Sequence, residues 1–327
     1  MTRSPIIFVI GASSGGFRAV SRMMSHIPKG LNASYLIVLH SAYNTNNALS
    51  SLLAQHTDLD VCDAEHGMEI KPDTAYIAKV NHHLFVRDSK LFLSKGPREN
   101  LFRPAIDVLF RSAAVAFQNR CVGILLTGRL NDGTNGLECI QKCGGTTIIE
   151  NPETAEFSSM PLYAKESMEI DYIVNIQGIP QLIKTLSARD LPPQSPVPAH
   201  IRRENEIAIK IKSQIGLQED LGTEVPISCA SCGGPLWEMK DSNPKRYRCH
   251  VGHAFSQEAL LKQQESSVEE ALWVSVRTLE ERRNLMTSMA RDYEKKGMKQ
   301  LVKSYDHKIE EISEHIKSIK SVLQLNV

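Results

Sequence analysis

Ile6-Ile7-Phe8-Val9-Ile10-Gly11-Ala12-Ser13-Ser14-Gly15-Gly16 is the stretch on which the reading of this chain turns. Five apolar residues suited to a strand run into a turn of glycine and hydroxyl residues, and an amphipathic stretch over Phe17 to Ile27 follows. Strand, tight turn and helix in that order mark the first unit of a parallel α/β sheet. Two later segments share the form: the strand ending Ile37-Val38-Leu39-His40, and Leu125-Leu126-Thr127-Gly128-Arg129-Leu130-Asn131-Asp132-Gly133. In a parallel sheet all three turns fall at carboxyl ends of strands, where open α/β folds place their sites. The turns carry Ser13, His40 and Asp132. A hydroxyl, an imidazole and a carboxylate are the parts of a nucleophilic hydrolase site.

Working outward, strands are expected over Ser34 to Leu39, Cys121 to Leu126, Thr146 to Glu150 and Tyr172 to Val174. Helices are expected over Ala48 to Gln55, Ile106 to Phe117 and Thr134 to Cys143. This alternation predicts an α/β fold with a doubly wound, mostly parallel sheet. Tyr76-Ile77-Ala78, Leu84-Phe85-Val86 and Leu91-Phe92-Leu93 read as short antiparallel strands inserted in it. Four prolines from Pro192 to Pro198 make a stiff linker. Beyond it lie a cysteine cluster and a long proline-free tail. Val268, Leu272, Leu279, Met286, Met289 and Tyr293 mark one helical stripe. Met298, Leu301, Tyr305, Ile309, Ile312, Ile316, Ile319 and Leu323 mark a second, with Gly297 as the turn between them. The expected division is 1–186 as the sheet domain, 187–226 as linker, 227–256 as a small metal module and 257–327 as a helical hairpin. The hairpin stripes are read as packing surfaces, against each other or a second copy, so self-association is expected there.

The 38 Lys and Arg residues against 37 Asp and Glu leave a net charge of +1, so no global charge steers the chain to nucleic acid or membrane. No apolar run approaches the length of a membrane span and no signal peptide is read at the start. Seven cysteines, four of them scattered, argue for a reducing compartment rather than a disulfide framework. A cytoplasmic protein is expected.

The glycine-rich turn has two readings. Gly11-Ala12-Ser13-Ser14-Gly15 matches the phosphate loop of short-chain dehydrogenases, a nucleotide site at a helix N-terminus. Against that, position 17 is Phe17 where a further glycine is needed, and none of the eight tyrosines has Lys four residues on. In the other reading Ser13 presents its hydroxyl above the sheet and N–H groups at the helix start face a developing oxyanion. Ser14 and Arg129 backbone N–H groups are the expected donors. His82, His83, His56, His66, Asp107 and Arg103-Pro104 read as structural or surface residues, with Asp107 at a helix start.

The same segments resemble the catalytic domain of CheB-type protein-glutamate methylesterases of bacterial chemotaxis, over roughly residues 5 to 186. Phe102-Arg103-Pro104-Ala105-Ile106-Asp107-Val108-Leu109-Phe110, His82-His83-Leu84-Phe85-Val86 and Met160-Pro161 add to the likeness. The resemblance implies Ser13 as nucleophile, His40 as general base and acid, and Asp132 as the group that orients the imidazole. It implies γ-methyl glutamyl esters of a methylated chemoreceptor signalling domain as substrate, with deamidation of receptor glutamines by the same acyl-enzyme route and no catalytic cofactor. Two departures stand out. Ser41-Ala42 follow His40 where the family has Met or Leu and then Pro, and Gly128-Arg129-Leu130 stands where it has Gly-Met-Gly. A receiver domain, through which multidomain relatives are controlled, is not expected in this chain. If the altered cleft is inactive, the alternative is an adaptor that binds a receptor or partner.

Cys229-Ala230-Ser231-Cys232 and, sixteen residues on, Cys249-His250-Val251-Gly252-His253 have the spacing of a tetrahedral zinc site. Three thiolates and one imidazole would saturate Zn2+, so the site is expected to be structural. The fourth ligand is His250 or His253. The tail resembles one found on some receiver-less CheB-like proteins, in which the histidine of Val-Gly-His recurs, and that implies His253. Lys245, Arg246 and Arg248 are too few for a nucleic-acid surface.

Overall fold

The computed structural model describes residues 4–40, 48–191, 193–210, 222–240, 242 and 244–324. Ser41-Ala42 lie outside them. Two compact units divide the chain, Met1–Leu260 and Leu261–Val327.

The first unit is built on a seven-stranded sheet. Its strands are β1 (Ile6–Ala12), β2 (Ala33–Leu39), β3 (Asp60–Asp63), β4 (Thr74–Ile77), β7 (Cys121–Leu125), β8 (Thr146–Glu150) and β9 (Tyr172–Val174), in the order β3-β4-β2-β1-β7-β8-β9. Every pairing in it is parallel. All seven residues of β1 and of β2 are buried, which is why those strands read as unbroken apolar runs. Ile7 and Val9 face a core that contains Leu109, Phe110 and Leu137, whereas Phe8 and Ile10 face one that contains Val20, Met23 and Ile183. The first core packs α3 (Ile106–Phe117) and α4 (Thr134–Lys142), and the second α1 (Gly16–Met24) and α6 (Ile179–Ala188). Helices α2 (Ala48–Ala54) and α5 (Ser159–Ser167) complete the layers. The sheet is doubly wound as expected, and the winding reverses at β1, between β2 and β7. The turns after those three strands are the ones that carry Ser13, His40 and Asp132.

One expectation is corrected. Tyr76-Ile77 belongs to β4, a parallel strand between β2 and β3, and is not part of an antiparallel insertion. Residues 64–73, which join β3 to β4, contain no helix, so the helical punctuation that marks a parallel crossover is missing. The antiparallel hairpin is confined to β5 (His83–Arg87) and β6 (Lys90–Ser94). Edge strand β3, Asp-Val-Cys-Asp, is too polar to have been read from its sequence.

The segment expected as linker contains α7 (Ala199–Lys210), which packs against α3. A second sheet follows, β10 (Gly222–Ser228), β11 (Pro235–Met239), β12 (Arg246–Cys249) and β13 (Ala254–Ser256), all antiparallel in sequence order. Its core is small: Cys229, Leu236, Tyr247, Cys249, Phe255, Ala259 and Leu260.

The second unit is a helical hairpin formed by α8 (Gln257–Lys295) from Leu261 onward and α9 (Lys299–Gln324), turning at Gly297 with φ 72°. Leu272, Val276, Leu279 and Met286 pack with Ile312, Ile316, Ile319 and Leu323, while Val268, Met298 and Leu301 of the expected stripes stay exposed. No helix among the described residues is long and apolar enough to cross a membrane.

Candidate active site and metal knuckle

Backbone hydrogen bonds lock the three turns together. Ser13 N–H donates to Thr127 O at 3.0 Å, and His40 N–H to Ala12 O at 3.0 Å. Gly15, at φ 74°, makes the reversal from β1 into α1, a conformation costly for any residue with a Cβ. Gly128 leaves room for the serine: a Cβ there would lie 2.9 Å from Ser13 Cβ and 2.5 Å from Met160 Cε. Ser13 Oγ then sits 3.2 Å from His40 Nδ1, and His40 Nε2 sits 3.0 Å from Asp132 Oδ2. The ring presents Nδ1 to the serine and Nε2 to the carboxylate, the reverse of the serine-protease arrangement. The Nε2–H direction misses a straight line to the carboxylate, so this contact is close but not ideally aligned. Phe102 stacks on the imidazole with ring centroids 3.7 Å apart and planes 10° from parallel, fixing the ring's plane. These residues open on a cleft of about 680 Å³, lined also by Ser14, Arg129 and Leu130. Among the described residues no acceptor meets the backbone N–H of Ser14 or Arg129.

Asp132 is fully buried and well held. It accepts the backbone N–H of Ile106 at 2.6 Å and of Asp107 at 3.2 Å, which are the first donors of α3. Asp107 in turn accepts the N–H groups of Gly133 at 3.0 Å and Gly136 at 2.6 Å, at the start of α4. Each helix N-terminus is thus capped by a carboxylate belonging to the other's chain segment, a placement the helix dipole favours. Asn100 joins the pair, its Nδ2 donating to Asp107 Oδ2 at 2.7 Å and to Asp132 Oδ1 at 2.9 Å. Burial, and then the neighbouring Asp132, push the Asp107 carboxyl up to about 7. Asp107 is therefore more than the helix start expected of it. The Phe102–Asp107 motif already held the signal for Phe102 and Asp107, but nothing in the sequence pointed to Asn100.

Arg129 lies over the Phe157 ring at 5.1 Å, and Leu130 has φ 65°, a left-handed conformation that a branched side chain strains. His83 is buried, bonded through Nε2 to Pro97 O and through Nδ1 to Ala105 N–H, and burial lowers its pKa. It lies outside the lining of the Ser13 and His40 cleft and bonds to neither residue.

Ligand atoms of Cys229, Cys232, Cys249 and His253 lie within 4.8 Å of one another. His250 is outside the group and packs over Gly234. A hydrogen bond from Cys229 holds the Cys249 thiol below its ordinary range, helped by His253 and by the Gly252 and His253 N–H groups. Three sulfurs and one imidazole this close fit a tetrahedral zinc ion.

Between this knuckle and the sheet lies a buried ion cluster. Arg111 of α3 pairs with Glu99 at 3.0 Å and with Glu204 of α7 at 3.2 Å. Arg248 meets Glu99 at 2.8 Å and Glu204 at 3.0 Å, and Arg246 meets Glu204 at 3.0 Å. Burial drives Glu99 up, but Arg111 and Arg248 outweigh it and bring the carboxyl down to about 2. Arg246 and Arg248 are accordingly interior residues.

Residues 8–183 match the family model described as CheB methylesterase. A Leptospira interrogans relative, provisionally named a protein-glutamate methylesterase/protein-glutamine glutaminase, is 33% identical over 56% of this chain and 95% of its own length. The Thermotoga maritima protein-glutamate methylesterase/protein-glutamine glutaminase is 33% identical over 54% of this chain and 52% of its own. The crystal structure of the Thermotoga maritima CheB methylesterase catalytic domain superposes with a TM-score of 0.54 at 32% identity, covering 56% of this chain and all of that one. The family model spans more than half of the chain and the solved domain shares its fold, so the chain belongs to the CheB methylesterase family.

Proposed function

We propose that this chain hydrolyses γ-methyl esters of glutamate on the methylated signalling domain of chemoreceptors, and deamidates glutamines there, as a cytoplasmic enzyme. The observation that carries this reading is the Ser13–His40–Asp132 relay opening on a cleft within a CheB methylesterase domain. Ser13 Oγ attacks the ester carbonyl and its proton passes to His40 Nδ1. The bond to the methoxy group then breaks, His40 returns the proton, and methanol leaves. Water repeats the sequence on the acyl-enzyme, delivering a proton to Nδ1 and releasing glutamate as that proton returns to Oγ. Asp132 keeps the tautomer with its proton on Nε2 and stabilises the imidazolium. The N–H groups of Ser14 and Arg129 serve the oxyanion. Losing one such donor typically costs about 3 to 4 kcal/mol in the barrier.

In this reading residues 1–186 carry the chemistry. The module at 227–256 holds one structural Zn2+ through Cys229, Cys232, Cys249 and His253, and 257–327 form the helical hairpin. Methanol release from a methylated receptor cytoplasmic fragment, compared with Ser13→Ala, tests the reaction. Release that disappears in the variant supports it. No release from either, with no fluorophosphonate labelling of Ser13, leaves the adaptor in its place. Metal analysis of the purified protein tests the knuckle, with one equivalent of zinc expected.

A further inference from the structure

Asn100 is 3% exposed, and its backbone φ of 49° is one that asparagine tolerates well. It faces two buried carboxylates with one end of its amide and the metal knuckle with everything else. Its backbone N–H donates to Ala254 O at 2.8 Å, and its Oδ1 accepts the Ser256 N–H at 2.9 Å. Ala254 and Ser256 belong to β13, directly after the ligand His253. Ser256 Oγ also donates to Asn131 Oδ1 at 2.7 Å, next to Asp132. Arg248, beside the ligand Cys249, pairs with Glu99, beside Asn100. The knuckle therefore grips residues 99–100 by backbone, amide and charge.

The Ser256 N–H decides which way the Asn100 amide points, because it can bond only to the oxygen. That leaves the NH2 group for Asp107 and Asp132. With the amide reversed, an oxygen would face two carboxylates. Resting on the hydrolase reading of Ser13, His40 and Asp132, we infer that Asn100 is a positioning residue through which metal loading of the knuckle sets Asp132 against His40, so that loss of the metal turns the hydrolase down.

The test uses the full chain and p-nitrophenyl acetate, a substrate that needs no receptor docking. Chelation, or Cys232→Ser at the exposed ligand, is expected to lower kcat at least about tenfold with KM little changed, and Zn2+ added after chelation to restore it. Asn100→Gly suits the left-handed backbone and removes only the amide. It should retain one equivalent of zinc, show the same loss of kcat, and lose most of its sensitivity to chelation. Unchanged kcat in the chelated wild type, or an Asn100→Gly protein that stays fully sensitive, overturns the inference. Hydrogen exchange at the Ile106 and Asp107 amides, which donate to Asp132, reads the same coupling without turnover: faster exchange on metal removal supports it and unchanged exchange overturns it. Metal-sensitive exchange in a protein that releases no methanol from the receptor fragment defeats the methylesterase reading alone.

Discussion

The cleft at Ser13 and the cysteine knuckle lie in one compact unit but are held by opposite means. Ser13, His40 and Asp132 come from turns far apart in sequence, and each turn hangs from a strand whose side chains are buried on both faces. Their positions are set by the sheet. Cys229, Cys232, Cys249 and His253 come from a short stretch whose own core has seven buried residues, two of them the cysteine ligands themselves. A core that small supplies little stability, and metal coordination contributes most of it in sites of this kind. The cleft is therefore expected to tolerate loss of a functional side chain without unfolding, whereas the knuckle should lose its structure with its ligands.

The sharpest contrast is Ser13→Ala. Ester hydrolysis should fall by roughly a thousandfold or more with the thermal unfolding profile unchanged. Substantial residual turnover would mean that another group carries the reaction. Next in size is Glu204→Gln, which attacks the joint between the two regions. Three buried guanidinium groups would then share Glu99, and a buried pair broken on one side typically costs about 3 to 5 kcal/mol. Urea denaturation checks it, and a loss under 1 kcal/mol would mean the two regions are not coupled through this cluster.

A smaller effect, and one dependent on pH, is expected at Asp107. Its carboxyl binds a proton more tightly in the folded state, with a pKa of about 7 against an ordinary 3.8. The stability it contributes is complete below about pH 4 and is lost as pH rises through 7. Relative to wild type, Asp107→Asn should therefore gain roughly 2 to 4 kcal/mol on going from pH 4 to pH 8, measured by denaturation at both. A difference that does not move with pH would show that the Gly133, Gly136 and Asn100 donors hold Asp107 ionised throughout. The smallest effect is at Leu130, whose left-handed backbone is strained beside Asp132. Leu130→Gly should be more stable by about 1 kcal/mol in the same assay. A destabilised variant would show that the leucine side chain at the cleft matters more than its backbone strain.

Ser13 and His40 were readable because each follows directly on an apolar strand, and Asp132 because it lies in the turn between an apolar strand and the next helix, so hydrophobic pattern fixed where the three fall. The cluster's three cysteines were readable because their spacing is local. Asn100 was not: its partners Asp132 and Ser256 lie 32 and 156 positions away, and an asparagine before a Phe-Arg-Pro turn has no pattern of its own. Asp107 could be placed at a helix start, but not opposite a second buried carboxylate. The edge strand Asp60–Asp63 and the parallel setting of Thr74–Ile77 escaped because neither the alternation nor the helical crossover that signals them is present.

By itself, then, the sequence determined the doubly wound sheet, the three strand-end turns with their chemical groups, the cysteine spacing and the helical hairpin. All of these rest on periodicities and offsets of a few residues. Only the tertiary structure decided which ring nitrogen meets the serine, which histidine joins the cysteines, and that Arg111, Glu204 and Asn100 bind the knuckle to the site. Those arrangements depend on buried charges and amides finding partners across the fold, and burial forces that pairing without leaving a local mark in the chain.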